Sequence, residues 1–316
     1  GRYRAMERRF THSDLGIWSL LNRLRPDVVI TTGFIPTYLF AFVWAVMHGV
    51  PHVAMTDGTA QSEKSLSWLH RLVRRMVFAR SAVFVGACEG SGDLFRQYGV
   101  PENRIHTSQL CADNNHFSHP QSATPVDFVF CGRFMTSKRP LFAMEVAKEV
   151  SIRLGRRTSI DFVGNGVMES EMRDYAVQIS DFVDVRFHGY ATQAELPSRY
   201  AGARIFLFPT EGDVWGVVAN EACATGLPVI VSPHAGVARE LVLDGGNGYI
   251  RELDVAQWTE AALGLLMDEA LYRRFSQSSR ERVAEYTFDH AARGLASAIR
   301  QACPARKADD IQTVAK

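Results

Sequence analysis

The sequence predicts an α/β protein built from parallel sheets that carry helices on both faces. Short apolar runs alternate with longer helical stretches through most of its 316 residues. Strands that read as continuous apolar runs are typical of parallel sheets buried on both sides. A chain of this length is long enough for two domains, each with its own core. We therefore expect two doubly wound domains that face each other across a cleft.

The first predicted domain covers residues 1–119. Its strands are predicted at Asp27 to Thr31, His52 to Thr56 and Ala82 to Gly86. The most apolar stretch, Tyr38 to Met47, is too short to span a bilayer and predicts a buried helix. Neither a strand nor a Gly-rich turn precedes Asp27, and the chain begins at Gly1 rather than Met. Because a doubly wound domain normally opens with both features, we expect this domain to be truncated.

The second predicted domain covers residues 120–303. It follows a Pro-containing stretch, FSHPQSATPVD from Phe117 to Asp127, which is the predicted linker. Its strands are predicted at Phe128 to Cys131, Ser159 to Val163, Val183 to Phe187, Ile205 to Phe208 and Val229 to Val231. Residues 304–316 are polar and lack apolar periodicity, which predicts a disordered tail.

The composition argues against several classes of protein. With 35 basic and 34 acidic residues, the chain has almost no net charge, so its electrostatic potential does not indicate nucleic acid as a partner. Its 5 cysteines are scattered, so we expect neither a zinc cage nor a disulfide framework. The opening residues GRYRAMERRF lack the apolar core of a signal peptide. A cytoplasmic protein fits these features.

The stretch CGRFMTSKRP after the strand Phe128 to Cys131 is the first candidate site. Gly132 permits close approach of the backbone to a ligand, and Arg133 and Lys138 bring two cations to one place. Two fixed cations suit a leaving diphosphate that no metal neutralises. A solvated basic turn is the alternative interpretation.

Two weaker motifs end the next two strands. In FVGNG, the backbone around Gly164 would face a phosphate or a sugar hydroxyl, although a plain tight turn is the commoner explanation. In FHGY, Tyr190 would flank a nucleobase. A half-buried aromatic at a domain edge is equally compatible with that residue.

The stretch EGDVWGVVANEACATGLPVIVS carries two acids where a strand is followed by a helix. Asp213 is predicted in the loop, and Glu221 one to two turns into the helix. The first is expected to bind a sugar and the second a ribose diol. As an alternative, Asp213 is an N-cap. Glu221 lies on an apolar helix, where an acid usually has a partner.

The backbone of the same loop is a predicted diphosphate site. Unsatisfied N–H groups in the first turn of a helix, together with its dipole, favour an anion. The residues expected to contribute are Gly212, Trp215, Gly216, Val217 and Val218.

Taken together, these motifs resemble the nucleotide-sugar-binding domain of the retaining glycosyltransferases with the GT-B fold, the glycosyl transferases group 1. This group includes sucrose synthase and many bacterial polysaccharide enzymes. In residues 128–250 the resemblance rests on FCGRFMTSKRP, FVGNG, VRFHGY, LPSRYAGARIFLFPTEGDVWGVVANEACATGLPVIVSPHAGVAREL and DGGNGYI. Residues 26–117 resemble the later part of the family's acceptor domain, with SAVFVGACEGSGDLFRQYGVPENRIHTSQLCADNNHF. The resemblance implies a GT-B fold of two Rossmann-like domains.

The resemblance also implies roles for particular residues. The family's acid-x7-acid motif falls on Asp213 and Glu221, with Asp where the family usually has Glu. Its phosphate-binding Arg and Lys fall on Arg133 and Lys138. The family's opening strand and Gly-rich acceptor loop have no counterpart, and Asp57 stands where many members carry a His.

We therefore expect a metal-independent glycosyltransferase that moves a sugar from a nucleotide diphosphate sugar to a hydroxyl with retention. The resemblance implies that the acceptor attacks from the face of the departing phosphate, so no protein nucleophile is required. No Asp-x-Asp pair follows a strand, which agrees with Arg133 and Lys138 replacing a metal, so no cofactor or metal is expected. Polysaccharide or glycolipid biosynthesis is the expected setting, with a sugar or lipid-linked acceptor. The alternatives are a non-catalytic sugar-nucleotide-binding protein with a degraded acceptor domain, or a nucleotide-sugar epimerase.

Contact with the cytoplasmic membrane face is a further hypothesis. The segment SLSWLHRLVRRMVFARS, from Ser65 to Ser81, predicts an amphipathic helix with arginines beside apolar residues. Such a helix suits an anionic leaflet. A surface helix with a solvated basic face is the alternative.

Overall fold

The computed structural model describes residues 14–63, 66–118 and 124–304. Two compact units divide the chain: residues up to 109 together with those from 289 onward, and residues 110–288. Residues 119–123 of the predicted linker and residues 305–316 of the predicted tail lie outside the described part.

The first unit contains a four-stranded parallel sheet in the order β1-β2-β3-β4. The strands are β1 Val29–Thr31, β2 His52–Thr56, β3 Val83–Gly86 and β4 Ile105–Thr107. Its helices before and between these strands are Gly16–Leu24, Pro36–Met47, Ala60–Glu63, Trp68–Arg80 and Glu89–Gln97, with a 3-10 turn at Glu102–Arg104. Three strands were predicted; β4 was not, because a three-residue Ile-His-Thr segment has no apolar run to mark it.

The second unit contains a six-stranded parallel sheet in the order β10-β9-β8-β5-β6-β7. The strands are β5 Val126–Cys131, β6 Thr158–Val163, β7 Val183–Gly189, β8 Ala203–Phe208, β9 Val229–Val231 and β10 Gly248–Ile250. After β5 the chain adds strands on one side as far as β7 and then on the other side from β8. The winding thus reverses at β5, and open α/β sheets bind ligands at such a switch point.

Helices cover the second sheet and bury its apolar side chains. They are Asn114–Phe117, Pro140–Leu154, Glu169–Gln178, Leu196–Ala201, Val217–Thr225, Val255–Met267 and Glu269–Val283, with a 3-10 turn at Thr136–Lys138. The core between sheet and helices is rich in phenylalanine, with Phe128, Phe130, Phe134 and Phe162 almost fully buried. The Phe134 ring anchors the loop that follows β5, so the core fixes the position of that loop.

The last helix, Phe288–Ala302, packs on the first unit. Ala298 and Ala302 lie against Val83 and Val85 of β3. A Cβ at Gly294 would lie only 1.7 Å from the carbonyl oxygen of Thr107, so this glycine lets the helix approach β4 closely. Sequence reasoning assigned residues 120–303 to one domain, whereas the compact units separate at 109/110 and at 288/289. The apolar periodicity of a helix does not tell which sheet it covers.

The five cysteines are all free thiols. In the described ranges, none of the helices combines the length and the apolar character needed to cross a membrane.

Candidate functional site

Three loops meet at the carboxyl ends of β5, β6 and β8. Because β5 is hydrogen-bonded to β8 on one side and to β6 on the other, the loop after β5 lies between the other two. All three loops belong to the second unit. The residues predicted as catalytic, Arg133, Lys138 and Asp213, are on the first and third of these loops.

The loops after β5 and β6 are joined backbone to backbone. The N–H of Gly132 donates to Val163 O at 3.0 Å, and the N–H of Phe134 donates to Asn165 O at 2.8 Å. A Cβ at Gly164 would lie 2.0 Å from the oxygen of Gly132, so only glycine allows this approach. The FVGNG motif is therefore more than a tight turn, since it makes room for the loop that carries Arg133.

Arg133 presents a free cation at this edge. Its side chain is exposed, and within residues 14–63, 66–118 and 124–304 its guanidinium has no hydrogen-bond or ion-pair partner. The next residue, Phe134, is fully buried and holds the backbone in place. The arrangement leaves this charge available to an incoming anion.

The 3-10 turn that carries Lys138 is docked on the loop after β8. The N–H of Glu211 donates to Ser137 O at 2.8 Å, and the Thr210 hydroxyl lies 3.2 Å from the same oxygen. Arg139, whose backbone is left-handed (φ 51°), forms an ion pair with Glu211 at 3.3 Å. Sequence reasoning missed Ser137, Thr210 and the Arg139–Glu211 pair, because nothing in the local pattern shows that these segments touch.

Lys138 and Asp213 form an ion pair within the site. The ammonium lies 2.5 Å from Asp213 Oδ2, and the two side chains are only 16% and 22% exposed. The other carboxylate oxygen, Oδ1, accepts from the N–H of Trp215 at 3.2 Å. Lys138 and Asp213 were predicted to contact different parts of a ligand, and their direct contact was not anticipated.

Asp213 is not the N-cap of the following helix, so that alternative was wrong. The helix is Val217–Thr225, and its N-cap is Gly216, a residue without a side chain that could cap the helix. Gly216 has φ 107°, and a Cβ there would lie 2.3 Å from Cε1 of Phe208. Glycine is required at the cap both for its conformation and because the Phe208 ring fills the space.

The amides of this loop do not all face a ligand as predicted. The backbone N–H of Trp215 donates to Asp213 Oδ1. The indole of Trp215 is almost fully buried, and its Nε1 donates to Asn220 Oδ1 at 2.8 Å. Trp215 is therefore a packing residue. Val217 and Val218 do occupy the first turn, where a helix leaves N–H groups without intrahelical partners.

Glu221 is buried, with 6% of its surface exposed, and has the partner that its apolar surroundings indicated. The hydroxyl of Tyr200 donates to Glu221 Oε2 at 2.8 Å. Burial raises the pKa of Glu221, and the hydrogen bond from Tyr200 lowers it by less. Burial also raises the pKa of Tyr200 well above its usual value, with the nearby Cys131 and Glu221 adding to the effect.

The Tyr200 side chain also lies near Cys131, the last residue of β5. Burial raises the pKa of that thiol to about 12, so it stays protonated. Tyr200 is thus close both to Glu221 and to the end of β5, after which the loop with Arg133 begins. Sequence reasoning found Glu221 but missed Tyr200, which lies on the helix Leu196–Ala201 before β8.

Two predicted ligand-binding residues, Tyr190 and Gly212, are exposed. Tyr190 follows β7 with 76% of its surface exposed, so the alternative of a half-buried aromatic was wrong. Gly212 is exposed, and its carbonyl lies 3.5 Å from the ammonium of Lys138. In the described ranges, His, Cys, Asp and Glu side chains form no group of three or more that could hold a metal ion.

Glycine-shaped loops and a helix N-terminus at the switch point of a parallel sheet define a nucleotide-binding α/β domain. The sequence profile of the family Glycosyl transferases group 1 matches residues 112–282. That of the Glycosyl transferase 4-like domain matches residues 2–109. The chain belongs to the glycosyl transferases group 1.

Individual relatives agree with this assignment. A D-inositol 3-phosphate glycosyltransferase from Xylanimonas cellulosilytica is 27% identical over 253 residues, which is 74% of this chain and 60% of the relative. A glycogen synthase from Mycobacterium tuberculosis is 25% identical over 301 residues, covering 91% of this chain and 71% of the relative. The chain spans about half to three fifths of the length of several relatives it matches, with 60%, 49% and 59% covered in three of them.

A solved structure shows the same fold. The Anabaena protein Alr3699/HepE in complex with UDP has a TM-score of 0.77 and 13% identity, covering 90% of this chain and 81% of that one. The prediction of a GT-B α/β fold with parallel sheets is confirmed.

Proposed function

We propose that this chain is a retaining glycosyltransferase that moves a sugar from a nucleotide diphosphate sugar to a hydroxyl acceptor without a metal ion. The observation that carries the proposal is the meeting of three loops at the switch point of the second sheet. Those loops bring the free cation of Arg133, the Lys138–Asp213 pair and the start of the helix Val217–Thr225 to one edge.

The diphosphate is assigned to the cations and the helix N-terminus. Arg133 is unpaired within the described residues and free to bind a phosphate, whereas Lys138 already contacts Asp213 and would be shared. The first-turn amides of Val217 and Val218 and the helix dipole add partial positive charge. Preorganised charges of this kind stabilise a leaving group because they need no rearrangement as its charge develops.

The two acids are assigned to hydroxyl groups of the donor. Tyr200 occupies one oxygen of Glu221, which leaves the other carboxylate oxygen to accept from a ribose hydroxyl. Asp213 is assigned to the transferred sugar, with its ion pair to Lys138 fixing the carboxylate. A bound sugar and the leaving diphosphate would then lie on either side of one ion pair.

Retention is proposed to proceed without a protein nucleophile. The acceptor oxygen forms a bond to the anomeric carbon from the face that the diphosphate leaves, while the bond from that carbon to the phosphate oxygen breaks. The acceptor proton passes to the departing phosphate. The Cys131 thiol near this edge is held protonated by burial, which makes it a poor nucleophile.

The donor to test first is UDP-glucose. Solved structures of Alr3699/HepE hold UDP, UDP with glucose, and UDP-glucose. We expect the full chain to bind UDP in calorimetry and to transfer or hydrolyse labelled UDP-glucose, with NMR showing an α-linked product. An inverted product contradicts retention. Tight UDP binding with no turnover of any donor indicates the non-catalytic alternative, and a change of sugar identity without an acceptor indicates an epimerase.

A further inference from the structure

The helix Trp68–Arg80 of the first unit carries an apolar stripe that faces solvent. The stripe consists of Trp68, Leu69, Leu72 and Met76, which are 75%, 52%, 45% and 61% exposed. Its members lie at positions that a 3.6-residue turn brings to one face. The opposite face is in the core, where Val77 and Phe78 are almost fully buried. The stripe residues therefore do not belong to the hydrophobic core of the first unit.

Arginines border the stripe on both sides. At 3.6 residues per turn, Arg71 and Arg75 fall along one edge and Arg80 along the other. All three side chains are exposed and, within the described ranges, form no ion pair. No acidic residue occurs between positions 68 and 80. The outward face thus combines apolar and cationic groups without a compensating acid of its own.

The acid that precedes this helix, Glu63, is already paired. Glu63 is buried, and its Oε1 lies 2.8 Å from Nε of Arg74, which is on the helix Trp68–Arg80. Its carboxylate also accepts from the Tyr98 hydroxyl at 3.1 Å. Arg71 and Arg75 line an open cavity of about 500 Å³, which Glu63 and Tyr98 also line. Arg71 donates to the backbone carbonyl of Glu63 at 3.3 Å. A phosphate has room there beside two cations.

We propose that this face binds the surface of an anionic phospholipid bilayer, with the helix axis in the plane of the membrane. The stripe enters the boundary between headgroups and acyl chains, and Arg71, Arg75 and Arg80 contact lipid phosphates and carboxylates. Apolar residues flanked by basic ones are the pattern of interfacial helices. Charge complementarity selects the lipid, because a zwitterionic bilayer has no net negative surface potential to attract the arginines.

The test is co-sedimentation of the full chain with vesicles. We expect binding to phosphatidylcholine vesicles that contain phosphatidylserine, little binding to phosphatidylcholine alone, and release by high salt. Arg71→Gln/Arg75→Gln is expected to weaken binding by about 25-fold, from about fivefold for each charge near the surface. Leu72→Gln/Met76→Gln is expected to lose at least about tenfold through apolar burial.

Matched variants control for charge and hydrophobicity. Arg23→Gln/Arg300→Gln removes the same charge from exposed positions elsewhere, and Val167→Gln/Val177→Gln removes exposed apolar groups from the second unit. Both are expected to bind like the wild type. The proposal is overturned by equal binding to both vesicle types or by stripe variants that bind like the wild type. It is also overturned if analytical ultracentrifugation shows a dimer of the wild type that becomes monomeric in the stripe variants.

Discussion

Lys138 and Asp213, 75 positions apart in the chain, form an ion pair with 2.5 Å between the ammonium nitrogen and Oδ2. The contact joins the loop after β5 to the loop after β8. The two cations of the proposed diphosphate site therefore differ: Lys138 has an acidic partner, whereas Arg133 has none among the described residues. The two residues are therefore expected to respond differently to substitution.

Arg133→Ala is expected to lower kcat/KM by on the order of 100- to 1000-fold, since it removes a preorganised charge from the leaving diphosphate. Stability should change little, because the side chain is exposed and has no partner within the described residues. Arg157→Ala is the control, as it removes an exposed arginine just before β6, at the opposite end of the strands. Near-normal turnover of Arg133→Ala with a confirmed donor would remove this residue from the site.

Lys138→Met and Asp213→Asn are each expected to reduce both turnover and stability. The pair is mostly buried, so either variant leaves a partner uncompensated, at a cost of about 1 kcal/mol in the free energy of unfolding. Chemical denaturation of the two single variants and the double variant gives the coupling energy, for which we expect about 1 kcal/mol. Strictly additive effects would mean that the contact contributes nothing to stability.

The role of Asp213 in holding the sugar has a separate measurement. Asp213→Asn is expected to leave the Kd of the free nucleoside diphosphate nearly unchanged and to impair transfer from the intact donor, because only the latter carries the sugar. Equal losses in both measurements would assign Asp213 to the phosphates instead.

Glu221→Gln is expected to change the pH dependence of stability. Burial raises the pKa of Glu221, so the folded state holds the proton more tightly than the unfolded state. The stability that this proton provides is complete below the ordinary carboxyl pKa and is lost as pH rises through the raised value. Glutamine does not ionise and still accepts from Tyr200. The Tm of Glu221→Gln minus that of the wild type should therefore increase as the pH rises above the ordinary carboxyl pKa.

The same variant tests the ribose assignment. Removing a charged acceptor is expected to weaken nucleoside diphosphate binding by about tenfold. A Tm difference that is independent of pH would contradict the buried, ionising carboxyl, and unchanged affinity would contradict the ribose contact. The two outcomes are independent of each other.

Gly216→Ala is expected to destabilise the second unit by about 3 kcal/mol. The new Cβ would meet the Phe208 ring at 2.3 Å, and φ 107° is unfavourable for any side chain. Gly212→Ala, four residues earlier in the same loop, is the matched control, because a Cβ there has nothing within 4 Å. Thermal unfolding of both variants should show a large loss for the first and almost none for the second.

Transfer is expected to persist in EDTA, because Arg133 and Lys138 supply the positive charge that a divalent cation would otherwise provide. The rate of transfer from UDP-glucose, or from another donor once it is confirmed, is measured after chelation and again after adding magnesium or manganese. An absolute requirement for added metal would contradict the metal-independent mechanism.

What the sequence by itself determined is local. Apolar runs predicted eight of the strands, since a strand buried on both faces must be apolar along its length. The segments of β4 (Ile-His-Thr) and β10 (Gly-Tyr-Ile) contain no continuous apolar run, and these two strands were missed. The site glycines and acids were found because they lie where an apolar run is followed by a loop and a predicted helix.

Only the tertiary structure decided which of these residues meet. Strand order places β5 between β6 and β8, and this order brings Lys138 to Asp213 and the end of β5 to Tyr200. The same packing put Trp215 in the core and the helix Phe288–Ala302 on the first unit. Periodicity tells how a segment divides its surface between core and solvent, but the partner of each buried face depends on contacts between segments far apart in the chain.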